Sequence, residues 1–253
     1  MNSIKKELSL EEQMQGIYSS FERVFLGVIQ EIYKRNIPGL NEKLIQRGYA
    51  MLNNVPRTTL IQNDIYFIDF NPISTPNVDY SIERENMDFW NNRSLGYSRH
   101  LDEPLHKDSE FYFRLNLQKL IAGITEQPIE SAARNIFSTN LFFYRTSNEK
   151  ELREYPHELI HCWPFHEQFL KIVKPKLILC NGNGDFSTYS ELKQYIKRKY
   201  EIQNKKINSS KTIKSFEIIV GDEEEIVNIV GIPSLAQPET NIEKIIAGTK
   251  FFI

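Results

Sequence analysis

The apolar positions along the chain change period several times, and each change marks an element. Ser9, with Glu12 three residues later, forms a capping box. Phe21, Val24, Phe25, Val28, Ile29 and Ile32 then recur at helical spacing, which predicts an amphipathic helix over 9–35 that ends at Pro38-Gly39. A second helix is expected at roughly 40–52, closed by Pro56. The period then shortens. Apolar runs predict strands at 64–70, 135–143 and 177–180. Helices are expected at 109–122, with Gly123 as its stop, at 164–173, at 186–200 after Asn181-Gly-Asn-Gly184, and at 241–247. Two β-rich runs, 216–220 and 226–231, flank Gly221-Asp-Glu-Glu-Glu and read as a hairpin.

Strand and helix therefore alternate, which predicts an α/β fold, a three-layer α/β/α sandwich around a central, mostly parallel, four-stranded sheet. The chain of 253 residues is read as one domain, with 1–56 as a helical extension and 57–253 as the core. Between the first strand and the third helix, 72–108 is long, polar and rich in Pro, Asn, Asp and Arg, a length usually tied to function. With 40% apolar and 25% charged residues the composition is that of a soluble globular domain. No apolar run approaches the roughly 18–20 residues that span a bilayer, and no secretory signal is evident. Cys162 and Cys180 are too few for a disulfide framework or a four-cysteine cluster. A cytoplasmic monomer without a cofactor is expected.

Three segments end predicted strands: Asp69-Phe70-Asn71-Pro72, Ser138-Thr139-Asn140-Leu141 and Gly231-Ile232-Pro233-Ser234. In an open parallel sheet those ends share one crevice, where ligands bind. Side-chain amides there suit a planar partner such as a nucleobase, whose edge offers donors and acceptors. In order and strand context these segments resemble the uracil-DNA glycosylase superfamily. Phe70-Asn71-Pro72 is similar to its first motif, in the form of the mismatch-specific uracil/thymine branch; Thr139-Asn140-Leu141 looks like the base-reading strand end; Ile232-Pro233-Ser234-Leu235 looks like the loop that enters DNA. The segment from Cys162-Trp163-Pro164-Phe165 to Gly182 also resembles the stretch entering that family's third core strand. The likeness covers about 64–240. Asp69 stands where the family has Gly, Ile232 where many members have His or Asn, and Ile73 where one branch has Tyr.

The resemblance implies a monofunctional DNA glycosylase that flips a pyrimidine, ordinary or modified, out of DNA and hydrolyses its N-glycosidic bond, in repair or in defence against phage with modified DNA. It implies that Asn71, with Asp69 as a possible base, holds the water, and that Asn140, Phe70, Ile73 and an aromatic of the long loop line the base pocket. Tyr97, after Gly96, is the aromatic chosen among Tyr80, Phe89, Trp90 and Tyr97. Pro233, Ser234, Leu235 and Ala236 would pinch the DNA backbone or fill the gap left by the flipped base. Gly182 in its turn could offer a backbone N–H to a phosphate. Between 193 and 214 lie Lys193, Lys197, Arg198, Lys199, Lys205, Lys206, Lys211 and Lys214 against Glu201 alone, in a chain whose net charge is −2. That local excess reads as a phosphate-contacting patch.

Two other readings compete. A non-catalytic nucleic-acid-binding relative fits the Ile232 and Asp69 replacements. His157-Glu158-Leu159-Ile160-His161 spells a zinc-hydrolase motif, with His166 five residues on as a further ligand. Pro156 and Pro164 bracket it closely, which disfavours the long helix such a motif needs, so no metal is expected.

Overall fold

The computed structural model describes residue 16 and residues 50–72, 96–105, 107–143, 145–146, 159–199, 212–220 and 225–253. Apart from residue 16, the helix expected over 9–35 lies outside these residues, as do Ile73 and the loop up to residue 95 and the lysines of 201–211.

Five strands form one sheet in the order β2-β1-β3-β5-β4. They are β1 (Ile65–Asp69), β2 (Phe137–Asn140), β3 (Leu177–Asn181), β4 (Lys214–Val220) and β5 (Glu225–Ile232). β2, β1, β3 and β5 run parallel, and β4 pairs antiparallel with β5. The sheet is thus α/β and mostly parallel, but it has five strands rather than four, because both arms of the expected hairpin join it.

Helices cover both faces. One face carries Tyr66, Ile68, Ile178, Cys180, Phe216 and Ile229, packed under Leu159–Val173 and Thr188–Lys199. The other carries Ile65, Phe67, Leu177, Leu179, Val230 and Ile232, packed under Asp108–Thr125, Ile129–Asn135 and Ile242–Thr249. In chain order the helices are α1 (Pro56–Thr59), α2 (Arg99–Asp102), α3 (Asp108–Thr125), α4 (Ile129–Asn135), α5 (Leu159–Val173), α6 (Thr188–Lys199) and α7 (Ile242–Thr249). Parallel strands buried on both sides explain why β1 and β3 read as continuous apolar runs instead of alternating ones.

Several boundaries differ from expectation. Residues 50–52, expected to be helical, are extended along the outer edge of β2. Ala50 N–H donates to Phe143 O at 2.7 Å, Asn140 N–H to Met51 O at 3.0 Å and Asn53 N–H to Ser138 O at 2.9 Å. That pairing protects an edge strand whose backbone groups would otherwise lack partners. The strand expected from 135 starts at Phe137, because α4 occupies Ile129–Asn135 with Ala132 and Ala133 buried. α5 begins at Leu159 and contains Pro164, the residue expected to start it. α2 interrupts the expected loop, and Ser98 before it bridges to Asn54.

A buried polar relay ties the first core together. Tyr66 Oη lies 2.6 Å from His166 Nδ1 and 2.9 Å from Thr139 Oγ1, and His166 Nε2 lies 3.0 Å from Leu141 O. The carbonyl accepts only, so Nε2 carries the proton, and Nδ1 then accepts from the Tyr66 hydroxyl. Burial holds the imidazole neutral by lowering its pKa from 6.5 to about 4. The unfolded chain thus binds a proton that the folded chain refuses between those values. Stability from this group is complete above pH 6.5 and is lost as pH falls toward 4, with a slope of at most about 1.4 kcal/mol per pH unit. Denaturant titrations across that range are expected to show a smaller loss for His166→Gln than for the wild type. Equal losses in the two proteins would remove His166 as the cause.

Candidate active site at the carboxyl ends of the sheet

β1 leads to β2 on one side, whereas β3 leads to the β5–β4 side. The helices that follow β1 and β3 also cover opposite faces, α3 and α4 on one and α6 on the other. The carboxyl ends of β1 and β3 therefore flank the switch point, where a crevice opens in this class of sheet.

Side chains there follow the two-residue strand period. Ile65 and Phe67 face the second core, so Asp69 continues on that side; Leu177 and Leu179 place Asn181 likewise. Asp69 is in register with Asn140, and Asn181 with Ile232. Asn140, Asp69, Asn181 and Ile232 thus form a row across four strand ends on one face.

Asp69 anchors the row. Its Oδ1 accepts from Phe70 N–H at 2.8 Å and from Asn181 Nδ2 at 2.9 Å. Its Oδ2 takes no hydrogen bond among the described residues. Asn181 in turn accepts at Oδ1 from Leu235 N–H at 3.0 Å, which brings the loop after β5 to the same point. Asn116 on α3 holds that loop from behind, donating to Leu235 O at 2.9 Å. Asp69 is half-buried and is fixed through one of its two oxygens.

Phe70, one residue on, points to the opposite face. It is buried and packs edge-on against Phe142 at 5.3 Å and Phe186 at 5.2 Å. Asn71 is also buried. Its Nδ2 donates to Thr146 Oγ1 at 2.7 Å and Pro72 O at 3.2 Å, while its Oδ1 is enclosed without a partner among the described residues. An enclosed carbonyl oxygen with no donor is an incomplete arrangement, costing roughly 1–3 kcal/mol unless something polar meets it.

The pocket residues expected from sequence fare unequally. Asn140 is buried at the row's end, but both its amide hydrogens are taken, by Ala50 O at 3.0 Å and Asn53 Oδ1 at 3.3 Å. What remains is Oδ1, which draws no hydrogen bond among the described residues. Tyr97 is half-buried against the first core, its hydroxyl 3.4 Å from Glu103 Oε1, and its carbonyl accepts from Val55 N–H. It pins the 96–99 segment to residues 53–55. Leu235 is a correction: at 0% exposure it belongs to the second core and has no apolar surface to offer DNA. Pro233, Ser234 and Ala236 are half-buried, and Ser234 Oγ accepts from Ala236 N–H at 3.4 Å.

Gly182 adopts φ +89°, a left-handed conformation that favours glycine, just past β3. The turn it opens satisfies itself largely from within, through Tyr189 N–H to Gly182 O and Ser187 Oγ to Gly184 O. Lys197 and Arg198 are exposed on α6, which Lys199 ends. Lys193 lies over the rings of Tyr189 and Phe216, 5.6 and 5.8 Å from their centres. Burial, then Lys197 and Lys214, pushes its pKa down. Lys214 Nζ donates to Asn183 O at 2.7 Å. Lys214 thus sits against the turn that follows β3, and Lys193 lies within the electrostatic reach of both Lys197 and Lys214.

The metal alternative loses its third ligand. His166 is fully buried with both ring nitrogens engaged, while His157 and Glu158 lie outside the described residues. Among the described residues no group of three His, Cys, Asp or Glu is placed to hold an ion. Cys162 and Cys180 are both buried, and burial raises the Cys180 pKa.

Sequence reasoning misses Asn181, Asn53 and His100. Asn181 carries a signal, since it ends a predicted strand as Asn140 does, but it also reads as the start of a turn. Asn53 Nδ2 is buried beside Asn140 without a partner among the described residues. His100 on α2 stacks edge-on against Phe67 at 6.0 Å and lies 4.8 Å from Phe113, far in sequence from Phe67.

Because both Asn140 amide hydrogens meet acceptors, Asn140→Asp sets a carboxylate against a carbonyl and an amide oxygen. A loss of at least about 1–3 kcal/mol in denaturant unfolding is expected. An unchanged midpoint would contradict this bonding.

In comparisons with known proteins, no family model matches the chain and no curated sequence matches it significantly.

Proposed function

We propose that this chain is a DNA glycosylase with a uracil-DNA glycosylase-like fold, and that Asp69 is its general base. The observation that carries the reading is the Asp69 carboxylate at the switch point of the sheet, fixed through Oδ1 and open at Oδ2. Hydrolysis of an N-glycosidic bond passes through an oxocarbenium-like state, so it calls for a held water and a carboxylate that stabilises developing positive charge. Water attacks C1′ of the deoxyribose and gives its proton to Asp69 Oδ2. The C1′–N bond breaks, and the base leaves with the electron pair.

Asn71 supports the same step from the neighbouring turn. Its enclosed Oδ1 is the natural acceptor for a water hydrogen, and its Nδ2 is already fixed by Thr146. Asn140 contributes an acceptor to the base edge through Oδ1, suiting an N–H or an exocyclic amine of a pyrimidine. The backbone of Pro233 and Ser234 contacts the DNA strand, and the α6 cations hold phosphates. The base is a pyrimidine, ordinary or modified, and the setting is repair or defence against phage whose DNA carries modified bases.

Excision is tested by incubating the protein with DNAs that contain uracil, mismatched thymine or modified pyrimidines, and scoring alkali-labile abasic sites. Asp69→Asn and Asn71→Ala are each expected to lower single-turnover excision by roughly 10²–10⁴-fold while leaving DNA affinity in place. A fully active Asp69→Asn protein would show that the base lies elsewhere, and tight DNA binding by the wild type without excision would favour a non-catalytic relative.

The electrostatic part has its own readout. Replacing Lys197, Arg198 and Lys199 by Ala is expected to weaken DNA binding and to reduce the slope of log affinity against log salt by about 0.9 for each phosphate no longer neutralised. An identical slope would leave these cations as solvated surface.

A further inference from the structure

Side chains hold the loop after β5 by its backbone. Ser234 O accepts from Thr240 Oγ1 at 2.8 Å, and Ala236 N–H donates to Ser234 Oγ at 3.4 Å. From α3, the buried Asn116 donates through Nδ2 to Leu235 O at 2.9 Å and to Gln237 O at 3.3 Å. From the end of β3, Asn181 Oδ1 accepts from Leu235 N–H at 3.0 Å. A loop tied at this many points shifts as one piece, so a displacement of it reaches every side chain that ties it.

Asn181 is set apart by what its other end touches. It stands across from Asp69, one residue beyond the Ile68–Cys180 pair, and its Nδ2 donates to Asp69 Oδ1 at 2.9 Å. These two contacts fix which way the amide faces. Leu235 N–H only donates and an ionised carboxylate only accepts, so the reversed amide would set oxygen against oxygen and N–H against N–H. The last torsion of an Asp side chain is soft by itself. Here Phe70 N–H, at 2.8 Å, and Asn181 both hold the same oxygen, and together they set the direction of Oδ2. Without Asn181, that direction rests on the bond to the next residue.

We infer that Asn181 is a positioning residue that couples the seating of the loop after β5 on DNA to the direction of the Asp69 carboxylate. The role rests on the glycosylase reading and adds the link between its DNA contact and its general base. No bond forms or breaks at Asn181, and the proton of the attacking water still goes to Asp69. A seated loop holds the amide through Leu235 N–H, and the amide holds Asp69 toward C1′. DNA that leaves the loop unseated meets a base that is turned away, so excision depends on full engagement of the strand.

The test is a pair of double-mutant cycles. Single-turnover excision is measured at saturating protein, on DNA that the wild type cleaves, for variants shown to be folded by denaturant titration. Asn181→Ala is expected to lower the maximal rate about 10²-fold, the scale of a misplaced catalytic group. In an Asp69→Asn background the same change is expected to cost nothing further, because Asn181 acts through Asp69. Asn116→Ala frees the loop from behind; it is expected to slow the wild type and to leave the rate of Asn181→Ala unchanged. Should Asn181→Ala fail to fold, Asn181→Asp replaces it in both cycles, since it keeps an acceptor for Leu235 N–H and loses the donor to Asp69. Losses that add in either cycle overturn the coupling while the glycosylase reading stands, as does a fully active Asn181 variant. Absence of excision by the wild type on every DNA overturns the reading and this role with it.

Discussion

The strand ends are held together by one side chain. Asn181 donates to Asp69 on β1 and accepts from the backbone of Leu235 after β5. The neutral bond to Leu235 is worth about 0.5–1.5 kcal/mol net and the one to the Asp69 carboxylate about 1.5–3 kcal/mol. Their placement matters more than their strength, because they join the end of β1, the end of β3 and the loop after β5 at one point. Asp69 then has one oxygen committed and one open, and the loop after β5 is fixed at the rim instead of moving freely over it.

The apolar layers make that arrangement rigid. Phe67, Leu179 and Val230, each fully buried, belong to the core beneath the strand-end row on its own face. Burying one such side chain contributes about 1.5–3 kcal/mol, and several of them lie under each polar contact at the rim. The core thus determines where the strand ends lie, and hydrogen bonds determine which way their polar atoms point. Gly231 shows how tight the packing is: a Cβ there would overlap the Tyr189 ring, so α6 could not seat on β5. On the other face the Tyr66–His166–Leu141 relay gives buried polar groups their partners and links β1, β2 and α5.

Much of the fold is legible in the sequence because it is local. The runs that form β1 and β3 are continuous and apolar, as strands covered on both faces must be, and Lys214–Val220 pairs with Glu225–Ile232 as the hairpin pattern implies. What escapes depends on distant partners. Residues 50–52 have helix-compatible composition, yet the exposed edge of β2 draws them into an extended pairing. Pro164 looks like a helix start, whereas packing carries α5 through it. At the site, Asp69, Asn71 and Asn140 are visible as strand-end polar residues. That Asn140 spends its amide hydrogens on Ala50 and Asn53 is not readable, since those contacts join segments about ninety residues apart. Leu235 looks like a tip and proves to be core for the same reason: nothing in four consecutive residues reveals that Asn116 and Asn181 fold the loop inward.

The central claim is that Asp69 faces the reacting carbon of a flipped nucleotide at the junction of β1 and β3. A crystal structure of the protein with DNA bearing a 2′-fluoro pyrimidine nucleotide, which resists hydrolysis, tests it most directly. The account predicts the base in the crevice with its edge toward Asn140, and one water bridging Asp69 Oδ2 and C1′ at about 3–3.5 Å from the carbon. A base left stacked in the duplex, or a C1′ lying on the Phe70 face of the sheet, would contradict it.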